Sequence, residues 1–505
     1  MPTIILATLN ARYIHASLGL RYLKANMGEL EEFTTIKEFI ISSRPIDIAE
    51  QLLADSPDII GLGVYIWNVT EITVLVGLLK AISPSTTIVL GGPEVSYEIE
   101  QQGLAESADY IISGMADLAF VELCQKILAG VKPQQKVTYA PQPALDKIQL
   151  PYDQFTDEDI ANRVIYVEAS RGCPFKCEFC LSSLDKTAWP FDIDRFLESM
   201  QRLYEKGVRH FKFVDRTFNL KIDASIRILE FFLAKQDDKL FLHFELIPDH
   251  LPERLKSAIQ EFPEGTLQFE IGIQTFNPDV QALISRKQDN QKAIDNIRWL
   301  TTETTAHLHT DLIVGLPGED MKSFADGFDR LMSLNPGEIQ VGILKRLRGT
   351  PIIRHADTYA MRYNPAPPYN ILSTDRIDFN QMQCLSRFAR YWDMVANSGR
   401  FKNTLPSLLG EQPFDRFMEF SNWLFKATNQ THKLELKRLF DLVYEYLTTV
   451  LHVQDSVATS VLIADFSRSG QKGAAGFMRQ GMENKRTNDR DKSKSPAKRQ
   501  ARHAC

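Results

Sequence analysis

Three cysteines in one short stretch are the residues of this chain best suited to chemistry. Cys173, Cys177 and Cys180 have the spacing Cys-x-x-x-Cys-x-x-Cys in a segment that we call the cysteine loop, residues 171–180. Thiolates are soft ligands that bind iron–sulfur clusters, zinc and copper(I). A structural zinc ion needs a fourth protein ligand, and no further Cys or His stands close in the sequence. The spacing therefore favours a [4Fe-4S] cluster with one iron open to a small molecule, over three free thiols or an incomplete zinc site.

Alternating strand and helix patterns predict the scaffold of the cysteine loop. The apolar run at residues 164–169 leads directly into the loop, and five more strands are predicted up to residue 343. Six strand–helix units fit a partial (β/α)6 barrel of the TIM type, in which chemistry lies at the carboxyl ends of the strands. Polar side chains at these strand ends need partners, because burying an unpaired polar group is unfavourable. Such side chains include Asp215, Glu270 and Gln274.

The cysteine loop, together with the preceding Glu168-Ala169-Ser170, resembles the cluster motif of the radical S-adenosylmethionine (SAM) enzymes. The resemblance implies that the amino and carboxylate groups of SAM chelate the open iron. Reduction of the cluster, by an electron donor of the flavodoxin or ferredoxin type, then cleaves SAM to a 5′-deoxyadenosyl radical. Three strand segments also resemble those of the cobalamin-type members of this family: residues 213–219, 270–275 and 311–319.

The same resemblance suggests which side chains bind SAM. It implies that Asp215 lies near the methionyl amino group. It places three further residues near the ribose or the carboxylate of SAM: Glu270, Gln274 and Arg286. For each residue, a solvated position at the barrel rim remains the alternative.

The first part of the chain predicts a second parallel sheet. Apolar runs at residues 3–9, 58–66 and 87–90 alternate with helical patterns, which is typical of a doubly wound, Rossmann-like α/β fold. Ligands of such sheets lie beyond the carboxyl ends of the strands. No Gly-x-Gly-x-x-Gly sequence follows the first strand, so a dinucleotide is not expected.

This first part is similar to the cobalamin-binding domain that often precedes radical SAM domains. The similarity rests on Tyr13-Ile14-His15, on Gly91-Gly92-Pro93-Glu94 and on Gly114-Met115-Ala116-Asp117. It implies that cobalamin contacts Gly91, Gly92, Pro93 and Gly114. The family's Asp-x-His-x-x-Gly sequence is not present around His15, so no residue is assigned to cobalt. An empty, Rossmann-like scaffold remains the alternative.

The rest of the chain is predicted to be helical and then disordered. Helical periodicity after about residue 374 resembles the helical domain of a subgroup of cobalamin-type radical SAM proteins. The last 25 residues are rich in Lys and Arg and can contact RNA phosphates or simply be solvated. The predicted division is a cobalamin-binding-like domain at 1–135, a linker at 136–160, a barrel at 161–355, a helical domain at 356–480 and a basic disordered tail at 481–505.

Composition excludes several classes of protein. The net charge of −6 over 505 residues argues against a chain that binds nucleic acid along its whole surface. Six cysteines, three of them in one loop, argue against a disulfide framework and for the reducing cytoplasm. No apolar run is long enough to cross a bilayer, and the N-terminus is predicted to be a strand instead of a signal peptide.

Three functional hypotheses follow. The first is a cobalamin-dependent radical SAM enzyme, for which the family resemblance favours methyl transfer to an unactivated carbon. The second is a radical SAM enzyme whose cobalamin-like domain is empty and which catalyses a rearrangement or a cyclisation. The third is an RNA-binding protein with a structural iron–sulfur cluster. The substrate cannot be read from the sequence.

Overall fold

The computed structural model describes residues 1–185, 187–235, 237 and 239–480, which form two compact units. The first unit contains Met1–Glu245 and two later segments, Lys345–Arg354 and Tyr363–Asn370. The second contains Leu246–Leu344, His355–Arg362 and the described chain from Ile371 onward. The predicted tail at 481–505, on which the RNA hypothesis depends, lies outside the described residues.

A six-stranded parallel sheet forms the beginning of the first unit, as predicted. The strands have the order β2-β1-β3-β4-β5-β6. Their bounds are Ile4–Asn10 (β1), Thr34–Ile40 (β2), Ile59–Gly63 (β3), Thr87–Gly91 (β4), Tyr110–Gly114 (β5) and Val137–Ala140 (β6). The helices are Leu18–Ala25 (α1), Pro45–Leu53 (α2), Val69–Ile82 (α3), Gly103–Ser107 (α4) and Ala116–Leu128 (α5). All seven residues of β1 are buried, as a central strand with helices on both faces requires.

The edge strand β6 differs from the prediction. It lies in the stretch that was expected to be a linker at 136–160, and it pairs with β5 from Ile111–Val137 to Gly114–Ala140. Four residues between proline-rich segments give too short a pattern to identify a strand, and an edge strand is buried on fewer sides.

The remainder of the first unit carries the cysteine loop. Its elements are α6 (Asp157–Asn162), β7 (Ile165–Val167), β8 (Ser170–Arg171), β9 (Trp189–Pro190), α7 (Ile193–Glu205), β10 (His210–Phe213), α8 (Ile222–Leu233) and β11 (Phe241–Leu246). Strands β7, β10 and β11 are parallel neighbours. Phe211 and Phe213 on β10 contact Phe232 of α8, so this face of the strands packs on the helices.

The second unit begins with three more parallel strands. Its first elements are α9 (Glu253–Gln260), β12 (Leu267–Gln274), α10 (Pro278–Leu283), α11 (Asn290–Glu303), β13 (His307–Val314), α12 (Met321–Met332) and β14 (Glu338–Ile343). Strand β13 pairs with β12 on one side and β14 on the other. Each unit thus contains three parallel strands with helices between them, in agreement with the six strand–helix units predicted from the sequence.

Helices dominate the rest of the chain, as predicted. After the short strands β15 (Arg362–Tyr363) and β16 (Ile371–Ser373) come α13 (Phe379–Val395), α14 (Leu405–Leu409), α15 (Pro413–Thr428), α16 (Leu436–Glu445), α17 (Asp455–Arg468) and α18 (Gly476–Gln480). The two strands mean that the segment is not strictly all-helical. Aromatic side chains of α13 and α15 pack on Phe328 of α12, so helical region and barrel share one core here. Across the described residues, no helix is both long and apolar enough to span a membrane.

Candidate cofactor site

Short-range hydrogen bonds shape the cysteine loop. The N–H of Cys180 donates to the carbonyl of Cys177 at 3.1 Å. The hydroxyl of Ser183 donates to the carbonyls of Cys177 and Cys180 at 2.9 and 2.6 Å. Cys173 and Cys177 are buried, and Cys180 is half-buried. The loop is thus closed on itself, with its three thiols in one neighbourhood.

The thiols suit a multi-iron cluster. Burial raises the pKa of the Cys173 thiol to about 11, so metal binding at neutral pH must displace its proton. Within the described part of the chain, no three His, Cys, Asp or Glu side chains are placed to hold one metal ion. A single zinc ion requires all its ligands about 2.0–2.3 Å away, whereas in a cluster the thiolates bind different irons. The three soft donors on one short loop therefore fit a [4Fe-4S] cluster.

Asp215 anchors the strand that precedes the loop. Its carboxylate accepts the N–H of Ala169 at 3.0 Å and the hydroxyl of Ser170 at 2.6 Å. Burial raises the pKa of Asp215 to about 7, although these hydrogen bonds pull in the opposite direction. The side chain thus holds the residues four and three positions before Cys173. Its proximity to the amino group of SAM stays a prediction.

Arg171 connects the cysteine loop with the first sheet. Its guanidinium donates twice to Asp117 at the start of α5, at 3.0 Å each, and once to Glu168 at 2.7 Å. It also lies 4.3 Å over the ring of Tyr22. Burial alone would lower the pKa of Arg171, but the carboxylates of Glu168 and Asp117 outweigh it and raise the pKa. The arginine therefore stays charged and ties α5 to the start of the cysteine loop.

A cavity of about 450 Å³ lies between the strand ends of the first sheet and the cysteine loop. Its wall includes Gly91 at the end of β4 and the following Gly92, Gly114 at the end of β5, and Arg171 and Gly172 of the cysteine loop. Gly92 and Gly114 have φ values of 106° and 97°. A Cβ atom there would lie 2.5 Å from the carbonyl oxygen of Val64 and 2.2 Å from that of Ala140. Only glycine allows the backbone to pack this closely at these two positions of the cavity wall.

Pro93, which was predicted to contact cobalamin, and His15 of the cobalamin-like motif do not line the cavity of about 450 Å³. Pro93 lines a smaller cavity of about 270 Å³, which also has Tyr65 and Trp67 in its wall. His15 hydrogen-bonds through Nδ1 to the hydroxyl of Tyr166 at 2.7 Å. Burial lowers the pKa of His15, and the positive charges of Lys212 and Arg12 lower it further.

The segment Lys345–Arg354, which we call the clasp, contacts both parts of the first unit. Arg348 donates to Glu94 at 2.9 Å, beside the Gly91–Gly92 turn. Arg346 donates to both carboxylate oxygens of Glu98 at 2.8 Å. Further along the clasp, the N–H of Ile352 donates to the carbonyl of Glu178 in the cysteine loop at 3.0 Å. One short segment therefore holds the loop after β4 and the cysteine loop.

In the second unit, the predicted SAM residue Gln274 occupies a strained turn. Its φ is 69°, and the N–H of Thr275 donates to the carbonyl of Ile273 at 2.9 Å, which closes a γ-turn of the rare positive-φ form. The register of β12 against β13 shifts at this point. The Oε1 atom of Gln274 is buried without a hydrogen-bond partner among the described residues. A buried acceptor in a strained turn at a strand end is suited to a ligand that donates a hydrogen bond.

The other predicted SAM residues of this unit lie on or near the same strand. Glu270 pairs in register with His309 of β13. The guanidinium of Arg286 donates to the carbonyl of Gly272 and, at 3.0 Å, to Gln288. Gln274 is the last residue of β12, as predicted, whereas Glu270 lies in the middle of the strand instead of at its end. Arg286 contacts Gly272 of the same strand. The cysteines, Asp215 and the predicted glycines are gathered in the first unit.

Three family models match the chain in succession. Residues 4–124 match the B12 binding domain, residues 167–331 match the radical SAM superfamily, and residues 357–504 match a protein family of unknown function, DUF4080. This chain is a radical SAM protein with a B12-binding domain. The prediction from the cysteine loop and from the glycine turns is therefore confirmed at the level of the family.

Curated relatives of this radical SAM protein include methyltransferases. An uncharacterized methyltransferase of Pyrococcus horikoshii is 26% identical over 332 residues, which is 60% of this chain and 70% of the relative. The cobalamin-dependent radical SAM methyltransferase TokK of Streptomyces tokunonensis is 23% identical over 364 residues, 62% of this chain and 51% of the relative. The matched region therefore spans about half of TokK.

Solved structures support the fold of this radical SAM protein. The cobalamin-dependent SAM radical enzyme OxsB, solved with aqua-cobalamin and SAM, superposes with a TM-score of 0.61 at 13% identity, over 92% of this chain and 84% of OxsB. The methyltransferase TsrM of Kitasatospora setae, with cobalamin and a [4Fe-4S] cluster, gives 0.58 at 16% identity, over 73% of this chain and 82% of TsrM. The chain is an enzyme, and the cofactors predicted from its sequence are those of its domain types.

Several residues of the site were not found from the sequence. The sequence motif contained Arg171 and Asp117, but nothing in their spacing indicated that they pair. Glu178 could have been noticed as a charged residue between two cluster cysteines. The sequence could not identify Arg354 as the partner of Glu178, because 176 residues separate the two in the chain.

Proposed function

We propose that this enzyme uses a [4Fe-4S] cluster, SAM and cobalamin to transfer a methyl group to an unactivated carbon. When bound, the cluster and SAM would supply a 5′-deoxyadenosyl radical that removes a hydrogen atom from the substrate, and cobalamin would supply the methyl group. The electron for the cluster would come from a protein of the flavodoxin or ferredoxin type. TokK and TsrM, both methyltransferases, support this choice of reaction.

The cavity of about 450 Å³ is the observation that carries the proposal. Its wall combines Gly91, Gly92 and Gly114 at the ends of β4 and β5 with Arg171 and Gly172, which precede Cys173. A parallel sheet binds its ligand at such strand ends. Glycine at positions 92 and 114 lets the two loops pack tightly on the backbone of Val64 and Ala140 at this end of the sheet. Three of the four residues predicted for cobalamin, Gly91, Gly92 and Gly114, therefore border the same space as Gly172, the residue before Cys173.

The side chains of the enzyme have distinct roles in this proposal. Cys173, Cys177 and Cys180 would hold three irons, and Ser183 keeps their loop closed. Asp215 fixes the backbone before the loop, and Arg171 holds the loop to α5. These groups position the reacting parts and exclude water, which is the task of the protein in cofactor enzymes.

In the second unit, Gln274 would bind SAM through its buried Oε1, which accepts a hydrogen bond. Glu270 would offer its carboxylate to a ribose hydroxyl, and Arg286 a cation to the carboxylate of SAM. These roles rest on the family resemblance and on the unpartnered oxygen of Gln274.

An anaerobic reconstitution tests the proposal. The full chain is loaded with iron, sulfide and hydroxocobalamin, then mixed with SAM, a reductant and cell extract. We expect bound corrinoid in the absorption spectrum and the formation of both 5′-deoxyadenosine and S-adenosylhomocysteine. The variant with Cys173, Cys177 and Cys180 all changed to Ala should form no 5′-deoxyadenosine but still bind corrinoid.

Other outcomes would change the assignment. Formation of 5′-deoxyadenosine without bound corrinoid would favour an empty first domain and a rearrangement or cyclisation. Absence of both products from a chain that carries a complete cluster would contradict the enzymatic reaction proposed here. With deuterated SAM and cell extract, mass spectrometry of the product shows where the methyl group goes.

A further inference from the structure

Glu178 is a buried acid inside the cysteine loop. It stands between Cys177 and Cys180, and only 3% of its side chain is exposed. Lys and Glu side chains are almost never buried unless they are paired. A buried carboxylate beside two cluster ligands is therefore a feature that needs an explanation.

The clasp supplies the partner of Glu178. The guanidinium of Arg354 forms an ion pair with the carboxylate, while 60% of the arginine side chain stays exposed. Two residues earlier, the N–H of Ile352 donates to the backbone carbonyl of the same Glu178 at 3.0 Å. Backbone and side chain are thus held by one turn, Pro351–His355. The carboxylate cannot turn away from the loop without breaking this pair.

Charges close to the cysteine loop change the free energy of reduction of the cluster. Reduction adds one electron, so a nearby anion disfavours the reduced form and a nearby cation favours it. Net charge, hydrogen bonding and solvent exposure are the factors by which proteins set iron–sulfur potentials. Charges interact more strongly in a buried, low-dielectric environment than in water. Glu178 without Arg354 would therefore make the cluster harder to reduce.

We propose that the Glu178–Arg354 pair sets the reduction potential of the cluster. Arg354 neutralises the buried carboxylate of Glu178, so that the electron donor can reduce the cluster. The inference rests on the cluster of the proposed function, but not on cobalamin or on the substrate. It makes Glu178 and Arg354 positioning residues that tune the cluster without binding it. The clasp, which contacts the cysteine loop, thereby also affects the reduction potential of the cluster.

A redox titration followed by electron paramagnetic resonance tests this inference on the reconstituted full chain. Arg354→Met should reduce the ratio of reduced to oxidised cluster about tenfold at a fixed potential, equivalent to ~59 mV for one electron. Arg354→Lys keeps the positive charge and should stay close to the wild type. Glu178→Gln should shift the ratio in the opposite direction, and the double variant Arg354→Met with Glu178→Gln should return towards the wild type.

The controls separate this inference from the proposed function. Iron and sulfide are measured in each variant before titration. A wild-type chain that forms no cluster overturns the proposed function. Intact clusters with unchanged potentials in Arg354→Met and Glu178→Gln overturn the tuning role. If Arg354→Met loses its cluster, Glu178→Gln alone decides, because removal of the acid must raise the potential.

Discussion

Replacement of Arg171 by Met should destabilise the first unit strongly. Arg171, Asp117 and Glu168 are all close to nine-tenths buried or more, and the change leaves two carboxylates without their cation. Removal of one partner from a buried ion pair costs about 3–5 kcal/mol, because the remaining charge is uncompensated. Domains of 150–250 residues lose about 2–4 °C of Tm per kcal/mol. The expected loss is therefore roughly 6–20 °C.

The loss should depend on pH with a defined sign. Burial raises the pKa of Glu168, while Arg171 lowers it. A carboxyl whose pKa is raised in the folded state contributes stability at low pH and loses it as the pH rises. Without Arg171 the pKa of Glu168 rises further, so the difference between variant and wild type should be larger at about pH 8 than at about pH 5.5.

Thermal unfolding of the full chain, followed by circular dichroism, measures this effect. Arg44→Met is the matched control, because Arg44 forms an exposed ion pair with Asp47 and its loss should leave Tm unchanged. The triple variant Arg171→Met, Asp117→Asn, Glu168→Gln should recover part of the loss, since it leaves no buried charge. The reasoning is refuted if Arg171→Met behaves like Arg44→Met, or if its Tm difference does not vary with pH.

Three further predictions concern other parts of the site. Because burial raises the pKa of Asp215 to about 7, its contribution to stability is lost as the pH rises through about 7; Asp215→Asn should flatten the dependence of Tm on pH, and an unchanged slope would contradict this. Gly92→Ala forces a positive φ on alanine at about 1–3 kcal/mol and should weaken cobalamin binding in an absorbance titration. Gly77→Ala, in α3 with no atom within 4 Å of the added Cβ, should not weaken it. Ser183→Ala removes hydrogen bonds worth about 1–2 kcal/mol in total. A chelator should therefore remove iron from this variant about 5- to 30-fold faster than from the wild type. Equal rates would show that the Ser183 hydroxyl does not hold the loop.

Local patterns predicted the elements that have strong periodicity. The strand–helix pattern predicted from residue 164 to residue 343 corresponds to six strands with helices between them in the structure, because most of these elements have one buried and one exposed face or a clear apolar run. The short edge strand Val137–Ala140 was missed, since four residues give no usable period. The γ-turn at Gln274 was also missed, because backbone strain has no signature in a single sequence.

Contacts between distant residues account for the rest of what was missed. The sequence located the cysteine loop and the glycine turns, since each is a local motif. It did not show that Arg171 pairs with Asp117, or that Arg348 and Arg354 reach Glu94 and Glu178. Such pairs depend on which loops the folded chain brings together, and an isolated Arg or Glu is most often solvated.

The clasp has a consequence for the synthesis of the chain. Glu94 and Glu178 are buried in the first unit, but their arginine partners lie 254 and 176 residues later. While the ribosome is still making the second unit, the arginine partners of these carboxylates have not yet been synthesised. A carboxylate that is buried without its cation is unfavourable. The first unit can therefore become fully stable only after residue 370, the last residue of the first unit, has left the exit tunnel. A fragment that stops at residue 245 should be captured by chaperones, whereas co-expression with a peptide of residues 345–370 should rescue it.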